Sequence, residues 1–388
     1  MKYKLIVFIV TLALSSLLVA CASTPQPTPQ PTETQPAPPT ATAQATVAVA
    51  VATPTPEPET STPTPEPAPA TNTATPAPAP ATNTPEPPTA TPSPAPTEAP
   101  TSPPQPTVET LTGRIVFPLF DEETGTYNIY AAMLDGSQRE LVIEAASQPS
   151  VNSNGEQIVY RSWKADDRGI IEQGVQGGDL WRIDTHVEAG RPTFAPDDQI
   201  ILFQSREGGE KPAIYRTVGK DYEVVRREAF PVEGEAPAWT PDGKSFVYKG
   251  CLGDNCGLFK INLDGSSPQQ LTQNLSDTNP AVSPDGTTIV FMSQSDGNWD
   301  LYAMKIDGTE RTQLTTDPAE DGLPTWSTDG KSVAFVSKRS GAWAVWAMNA
   351  DGSDQHLLFD LGGTIDGQVQ VDVQNSKGWL EESIDWAP

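Results

Sequence analysis

Pro280-Ala-Val-Ser-Pro-Asp-Gly-Thr-Thr-Ile-Val-Phe291 decides the fold, because the chain repeats it. Pro237-Ala-Trp-Thr-Pro-Asp-Gly-Lys-Ser-Phe-Val-Tyr248 and Pro324-Thr-Trp-Ser-Thr-Asp-Gly-Lys-Ser-Val-Ala-Phe335 are close copies. Two weaker copies precede them: Pro149 to Tyr160, with Ser153-Asn154-Gly155 at the turn, and Pro192 to Phe203, with Pro196-Asp197-Asp198 there. The aromatic that ends each copy recurs at Phe117, Tyr160, Phe203, Tyr248, Phe291 and Phe335, at intervals of 43 to 45 residues. Within a copy, a short run around an apolar residue, an Asp-Gly type turn and a β-branched run read as a hairpin. A second landmark lies about eleven residues beyond each aromatic, at Tyr130, Ile171, Tyr215, Phe259, Tyr302 and Trp346. Asp-Gly pairs follow at 135–136, 264–265, 307–308 and 351–352, and then short apolar stretches such as Leu271-Thr272 and Leu314-Thr315. These predict a third and a fourth strand. Four strands per repeat of this length is one blade of a β-propeller.

The ends of the repeat region settle the number of blades. The chain enters at Thr112-Gly-Arg-Ile-Val-Phe117, which already reads as a second strand. The missing first strand reappears at the far end, where Ile384-Asp-Trp-Ala-Pro388 matches Pro324-Thr-Trp-Ser-Thr328. The sequence therefore predicts an all-β, six-bladed β-propeller of four-stranded blades, circularly closed by the C-terminal strand so that no sheet edge is left free at the junction.

The repeat Pro-x-Trp/Val-Ser-Pro-Asp-Gly-x-x-Ile-Val-Phe-x-Ser, followed by Asp-Leu-Tyr-x-Met and Asp-Gly-x-x-x-x-Gln-Leu-Thr, resembles the WD-like repeats of TolB, and residues 280–315 match it best. The resemblance spans residues 112–388 and implies the propeller fold. The TolB family's own amino-terminal α/β domain has no counterpart here; a Pro-rich segment stands in its place.

The front end reads as an address. Lys2 and Lys4 precede the apolar run Leu5–Leu18, and Leu18-Val-Ala-Cys21 closes it. A charged start, a short apolar core and small residues before a cut describe a signal peptide over residues 1–20. Leu-Val-Ala-Cys resembles the lipobox of bacterial lipoproteins, which implies acylation of Cys21 and cleavage before it. Residues 21–107 read as a lipidated, disordered tether. Of the 41 prolines, 27 lie there, and after Cys21 the segment has no Lys, Arg, Trp, Phe, Tyr or Leu. Such a composition buries too little apolar surface to offset the entropy of ordering, and alternating prolines favour extended polyproline II. Residues 108–388 are then the propeller domain, held outside the cytoplasm on a bacterial cell membrane, periplasmic or at the cell surface.

The formal charge is −26, of which about −22 falls on the folded part, since two lysines lie in the leader and six glutamates in the tether. So acidic a domain repels phosphate backbones, which excludes nucleic acid as a partner. Cys251 and Cys256, in Gly250-Cys-Leu-Gly-Asp-Asn-Cys-Gly257, read as a disulfide across a hairpin; metal binding by the pair is the alternative. The only histidines are His186 and His356, too few for a His-based metal centre, and no metal or cofactor is expected. No Gly-x-Ser-x-Gly nucleophile elbow occurs. The expectation is therefore a non-catalytic protein-interaction module, with a carbohydrate-binding or carbohydrate-active propeller as the alternative.

Topology suggests where binding sits. The short Asp-Gly turns share one face of the propeller, whereas the variable second-to-third loops and the blade-to-blade connections share the other, and variable loops on a rigid scaffold usually carry recognition. The connections are acidic, with Glu188, Glu235, Asp277, Asp321 and Glu382 at equivalent places. Trp163, Trp299 and Trp343 lie in the loops, and a longer connection at 361–380 carries Trp379. Val369-Gln-Val-Asp-Val373 within it alternates like an extra strand. These nine residues are expected to form an acidic, aromatic-rimmed mouth for a basic or cation-bearing protein segment, or for a glycan.

Overall fold

A computed structural model describes residues 112–388, apart from 179, 208, 222–223, 296 and 371–377. The leader, Cys21 and the tether lie outside the described residues. Every regular element described is a β-strand except one 3-10 turn, Gly378–Glu381. No described helix is long and apolar enough to cross a membrane.

The strands form four separate four-stranded antiparallel sheets and one seven-stranded sheet. The seven-stranded sheet is two blades joined by one long strand, Val224–Trp239. Up to Glu233 this strand pairs with Ala213–Asp221; from Gly234 onward it pairs with Ser245–Leu252. It is thus the outer strand of the third blade and the inner strand of the fourth, which makes six blades. The sequence predicts two strands here, and they are fused because 229–236 contains no Asp-Gly or Asn turn to break the extended chain. The inner strands are Asp385–Trp386, Ala146–Val151, Gly190–Phe194, the end of Val224–Trp239, Thr278–Val282 and Asp321–Trp326, and residues of all six line one central channel.

The two landmark series are partners. Phe117 lies opposite Tyr130, Tyr160 opposite Ile171, Phe203 opposite Tyr215, Tyr248 opposite Phe259, Phe291 opposite Tyr302 and Phe335 opposite Trp346. Four of these pairs stack with ring centroids 5.5–6.2 Å apart. Cross-strand aromatic pairs of this kind stabilise a sheet beyond their burial. Between blades, inner-strand tryptophans reach back to the preceding blade: Trp239 Nε1 donates to the Thr193 carbonyl (3.3 Å) and Trp326 Nε1 to that of Ala281 (3.1 Å).

The ring closes as the sequence predicts. Ile115 pairs with Trp386 and Val116 with Asp385. The closing strand also bonds sideways to both neighbours: Trp386 N–H donates to Thr325 Oγ1 in the sixth blade, and Val151 N–H in the second donates to Asp385 Oδ2 at 2.7 Å. Ile384 and Ala387 are buried. Residues 364–369 pack over the first blade. Thr364 bridges to Phe120, the Tyr127 hydroxyl donates to the Gly367 carbonyl at 2.7 Å, and Val369 joins Tyr127 and Trp163 in a small apolar cluster. Val369 and Gln370 are not in a strand, and the rest of the expected extra strand lies outside the described residues.

Deleting residues 384–388 removes the inner strand of one blade and two buried apolar side chains, Ile384, worth about 1.5–3 kcal/mol by area, and Ala387, worth about 0.8 kcal/mol. The truncated chain should unfold well below the full chain, and in a broader transition, when followed by circular dichroism. An unchanged melting curve would mean that closure contributes nothing.

Candidate functional site

The central channel is the site that the six inner strands build together. Its volume is about 350 Å³. Each of the first five inner strands met along the chain carries a bulge just before its proline, where the register against the neighbouring strand shifts. The residue preceding the proline has positive φ in all five: Gln148, Arg191, Ala236, Asn279 and Leu323, between 49° and 56°. L-residues adopt this region at some cost, and bulges re-aim side chains. Here they turn the strand starts across the channel. Gln148 Oε1 accepts the Arg191 N–H (2.7 Å), and the Arg191 guanidinium donates both to Asn279 Oδ1 and to the Leu380 carbonyl. Arg191 thereby spans from the third blade to the fifth and to the turn Gly378–Glu381.

These contacts close the channel at its connection end. Gln148, Ala236, Asn279 and Leu323 are buried and Arg191 is half-exposed, whereas two residues further along Ser150, Thr193, Ala238 and Ala281 are half-exposed and Thr325 is buried. Pro284 and Thr328, at the turns, also line the channel and are exposed. The channel therefore opens on the face of the short Asp-Gly turns, whereas the sequence reading places the mouth on the opposite, variable face.

The expected acidic mouth is corrected with it. Asp277 is fully buried and ion-paired to Arg311 at 2.7 Å. Asp321 is fully buried and paired to Arg339. Each of these arginines also lies over an aromatic pair, Arg311 above Phe291 and Tyr302, Arg339 above Phe335 and Trp346. The carboxylates hold the arginines on the rings, which is a packing role; reversing either charge would set a buried cation against an arginine. Glu235 is half-buried, 3.4 Å from Lys249. Glu188 is half-buried and acts electrostatically on Arg161. Glu382 is fully buried beside the channel.

The tryptophans are likewise packed rather than free. Trp163 is buried, donates from Nε1 to Ser147 Oγ (3.0 Å) and carries the Arg161 guanidinium on its ring. Trp343 and Trp379 are buried against each other, with centroids 5.1 Å apart, and the half-buried Trp299 meets Trp379 edge-on at 6.5 Å. Trp379 fits because position 322 is glycine: a Cβ there would lie 2.6 Å from its ring. Sequence equivalence thus brings Trp299, Trp343 and Trp379 together, but as a seal under the long connection. Cys251 and Cys256 lie directly opposite one another and are bonded, with S–S 2.04 Å.

The open face carries its own charge pattern, which the sequence shows only as turn chemistry. The side chains of Asp135, Asp242, Asp264, Asp285, Asp307, Asp329 and Asp351 each accept the backbone N–H two residues on. Hydrogen bonds from turn side chains and from these amides hold all seven below the usual carboxylate range. For Asp329, bonds from Lys331 and Ser327 push the value down to about 2. Of these, Asp242, Asp285 and Asp329 stand on the inner-strand turns of three successive blades, whereas Asp135, Asp264, Asp307 and Asp351 stand on the turns that lead to the outer strands.

Two further carboxylates line the channel itself, both on the closing segment. Burial pushes Glu382 up to about 8, against the nearby Arg161, and Asp385 up to about 6. Because folding raises both values, their contribution to stability is complete below about pH 4, their unfolded range, and is lost as pH rises through about 6 and then about 8. The melting temperature should fall between pH 5 and pH 8.5. Glu382→Gln should flatten that fall by raising the melting temperature more at pH 8.5 than at pH 5; a variant with the same slope would remove Glu382 from the account.

A family model described as the TolB beta propeller domain matches residues 222–310 and 277–375. No curated protein matches the sequence. Among solved structures, TolB from Acinetobacter baumannii aligns with a TM-score of 0.57 at 22% identity, over 71% of this chain and 67% of that one. A putative TolB from Agrobacterium tumefaciens gives 0.50 at 21%, over 70% and 96%. The hydrazine synthase of Kuenenia stuttgartiensis gives 0.51 at 12%, over 70% and 47%. At such identities the likeness is one of fold, and one fold serves many functions.

Proposed function

We propose that this TolB-like β-propeller is a non-catalytic protein-binding module, held outside the cytoplasm by a lipid on Cys21 and the tether of residues 21–107, which receives a basic protein segment on its turn face. The support for this is the coincidence of two features on one face. The end of the channel left open among the described residues faces the turns, and the inner turns of three successive blades carry Asp242, Asp285 and Asp329 with their carboxylates held ionised. A surface with fixed like charges around a concavity raises the local concentration of an oppositely charged partner and favours its docking. The variable face offers less, because its acidic and aromatic residues are committed to internal pairing and packing. A long Pro-rich tether suits such a module, since extended polyproline of this length reaches on the order of 200 Å and lifts the binding face clear of the bilayer.

The test is capture from envelope extracts by the full-length chain and by the Asp242→Asn/Asp285→Asn/Asp329→Asn variant. Asparagine keeps the turn hydrogen bond and removes the charge, so the fold is retained. Proteins held by the wild type should fall at least ten-fold on the variant and should elute with moderate salt. Equal capture by both, or binding of glycans on an array with no protein captured, would overturn the proposal.

A further inference from the structure

Five of the six inner strands put a small neutral residue at the place just after the motif proline: Ser150, Thr193, Ala238, Ala281 and Thr325. The closing strand puts Asp385 there, after Ile384. Asp385 lines the channel, and its Oδ2 accepts the Val151 N–H. No lysine, arginine or histidine forms an ion pair with it among the described residues, and burial raises its pKa with no cation opposing. Glu382, three residues earlier, also borders the channel, at the closed end. Its Oε2 accepts the Gln148 N–H at 3.2 Å, while its Oε1 is buried without a hydrogen-bond donor. The charged groups around Glu382 are Glu381, Arg161 and Arg191; Arg161 donates to the Val187 carbonyl, and Arg191 to Asn279 and Leu380. A buried acceptor left without a donor costs about 1–3 kcal/mol, and a partly buried carboxylate without a cation is also unfavourable. Both line a cavity whose other walls are proline rings, small side chains and the larger Trp239, Trp326 and Leu323, with Arg191 and Asn279, already hydrogen-bonded to each other, at the closed end.

We propose that the channel binds an aliphatic primary ammonium group, its alkyl chain along the proline ring and its –NH₃⁺ between Asp385 and Glu382. An ammonium brings three donors and one positive charge, which is the complement of an orphaned acceptor and an unpaired carboxylate. The proline rings offer a methylene chain apolar contact along its length. The same chemistry is offered by a lysine side chain and by a free alkylamine. Where the donor is a lysine, this deepens the reading of the turn face as a docking surface for a basic segment, on which that version rests.

The experiment is calorimetric titration of the full-length chain in detergent with hexylamine, with Nα-acetyl-lysine amide, with 1-hexanol and with calcium chloride. Both amines are expected to bind saturably at one site while hexanol does not. Binding should release protons at pH 7, seen as an enthalpy that varies with the ionisation heat of the buffer. Asp385→Asn and Glu382→Gln should each weaken hexylamine at least ten-fold. Ala238→Trp, which fills the channel from another blade and leaves both carboxylates in place, should abolish binding while the chain still melts cooperatively; it keeps the test decisive if a carboxylate variant fails to fold. Tighter binding of the lysine amide than of hexylamine assigns the ligand to a protein side chain, and the reverse assigns it to a free amine. Absence of saturable amine binding, equal binding of hexanol, or a site taken by calcium but not by amines overturns the inference. Loss of protein capture by the turn-face variant with amine binding intact, or the converse, separates the two proposals.

Discussion

The rest of the structure depends on the pairing of residues 385–386 with Arg114–Asp121, the first of the described strands. A propeller blade has a hydrophobic face on each side, and in an open row the outward faces of the two end blades stay uncovered until the ring is complete. Here the last residues supply the inner strand of the blade that residues 114–143 begin, and they bond to the blades on both sides as well as to their own. Strands about 270 residues apart in the sequence are thus held in one sheet, and the inter-blade contacts are made around a closed ring.

That closure also gives the channel its asymmetry. Five inner strands are variations on one motif, with a bulge residue at positive φ, a proline and a small side chain. The sixth comes from a segment with a different history in the chain. It enters through a long connection and the turn Gly378–Glu381, and it brings Glu382 and Asp385 where the others have small or neutral groups at most places. The same connection seals the variable end, with the Leu380 carbonyl accepting from Arg191 and Trp379 packed between Trp299 and Trp343. A cavity walled by imino rings and blocked at one end is left open only toward the turns. The polarity of the molecule, sealed variable face and open acidic face, follows from where the ring closes.

Much of the fold was legible because the repeat is long and its signals are local. The Asp-Gly turns, the aromatic at the end of each motif and the second landmark place the strands, and the structure sets those two aromatic series opposite each other in register. The fused strand Val224–Trp239 was not legible, since a break between strands is read from turn residues and their absence is a weaker signal. The site was legible only in part. Equivalent positions correctly group Asp277, Asp321 and Glu382 near strand starts, but sequence spacing does not reveal that Arg311 and Arg339 fold back onto aromatic rings and bury two of those carboxylates with them. Arg191, Gln148 and Asn279 were missed, because a bulge that throws a side chain across a channel depends on register. One signal was there to be used: Asp385 is the single charged residue at a position that five repeats fill with Ser, Thr or Ala.

Which end of the channel is open is the claim on which the functional account stands, and thiol labelling measures it on a single strand. Ala236 and Ala238 lie two residues apart, one buried at the closed end and one half-exposed toward the turns. With the 251–256 disulfide intact, Ala238→Cys should react with a bulky maleimide many times faster than Ala236→Cys in the folded protein, and the two should react alike once unfolded. Equal rates in the folded state, or faster labelling of Ala236→Cys, would place the opening on the variable face and contradict the account.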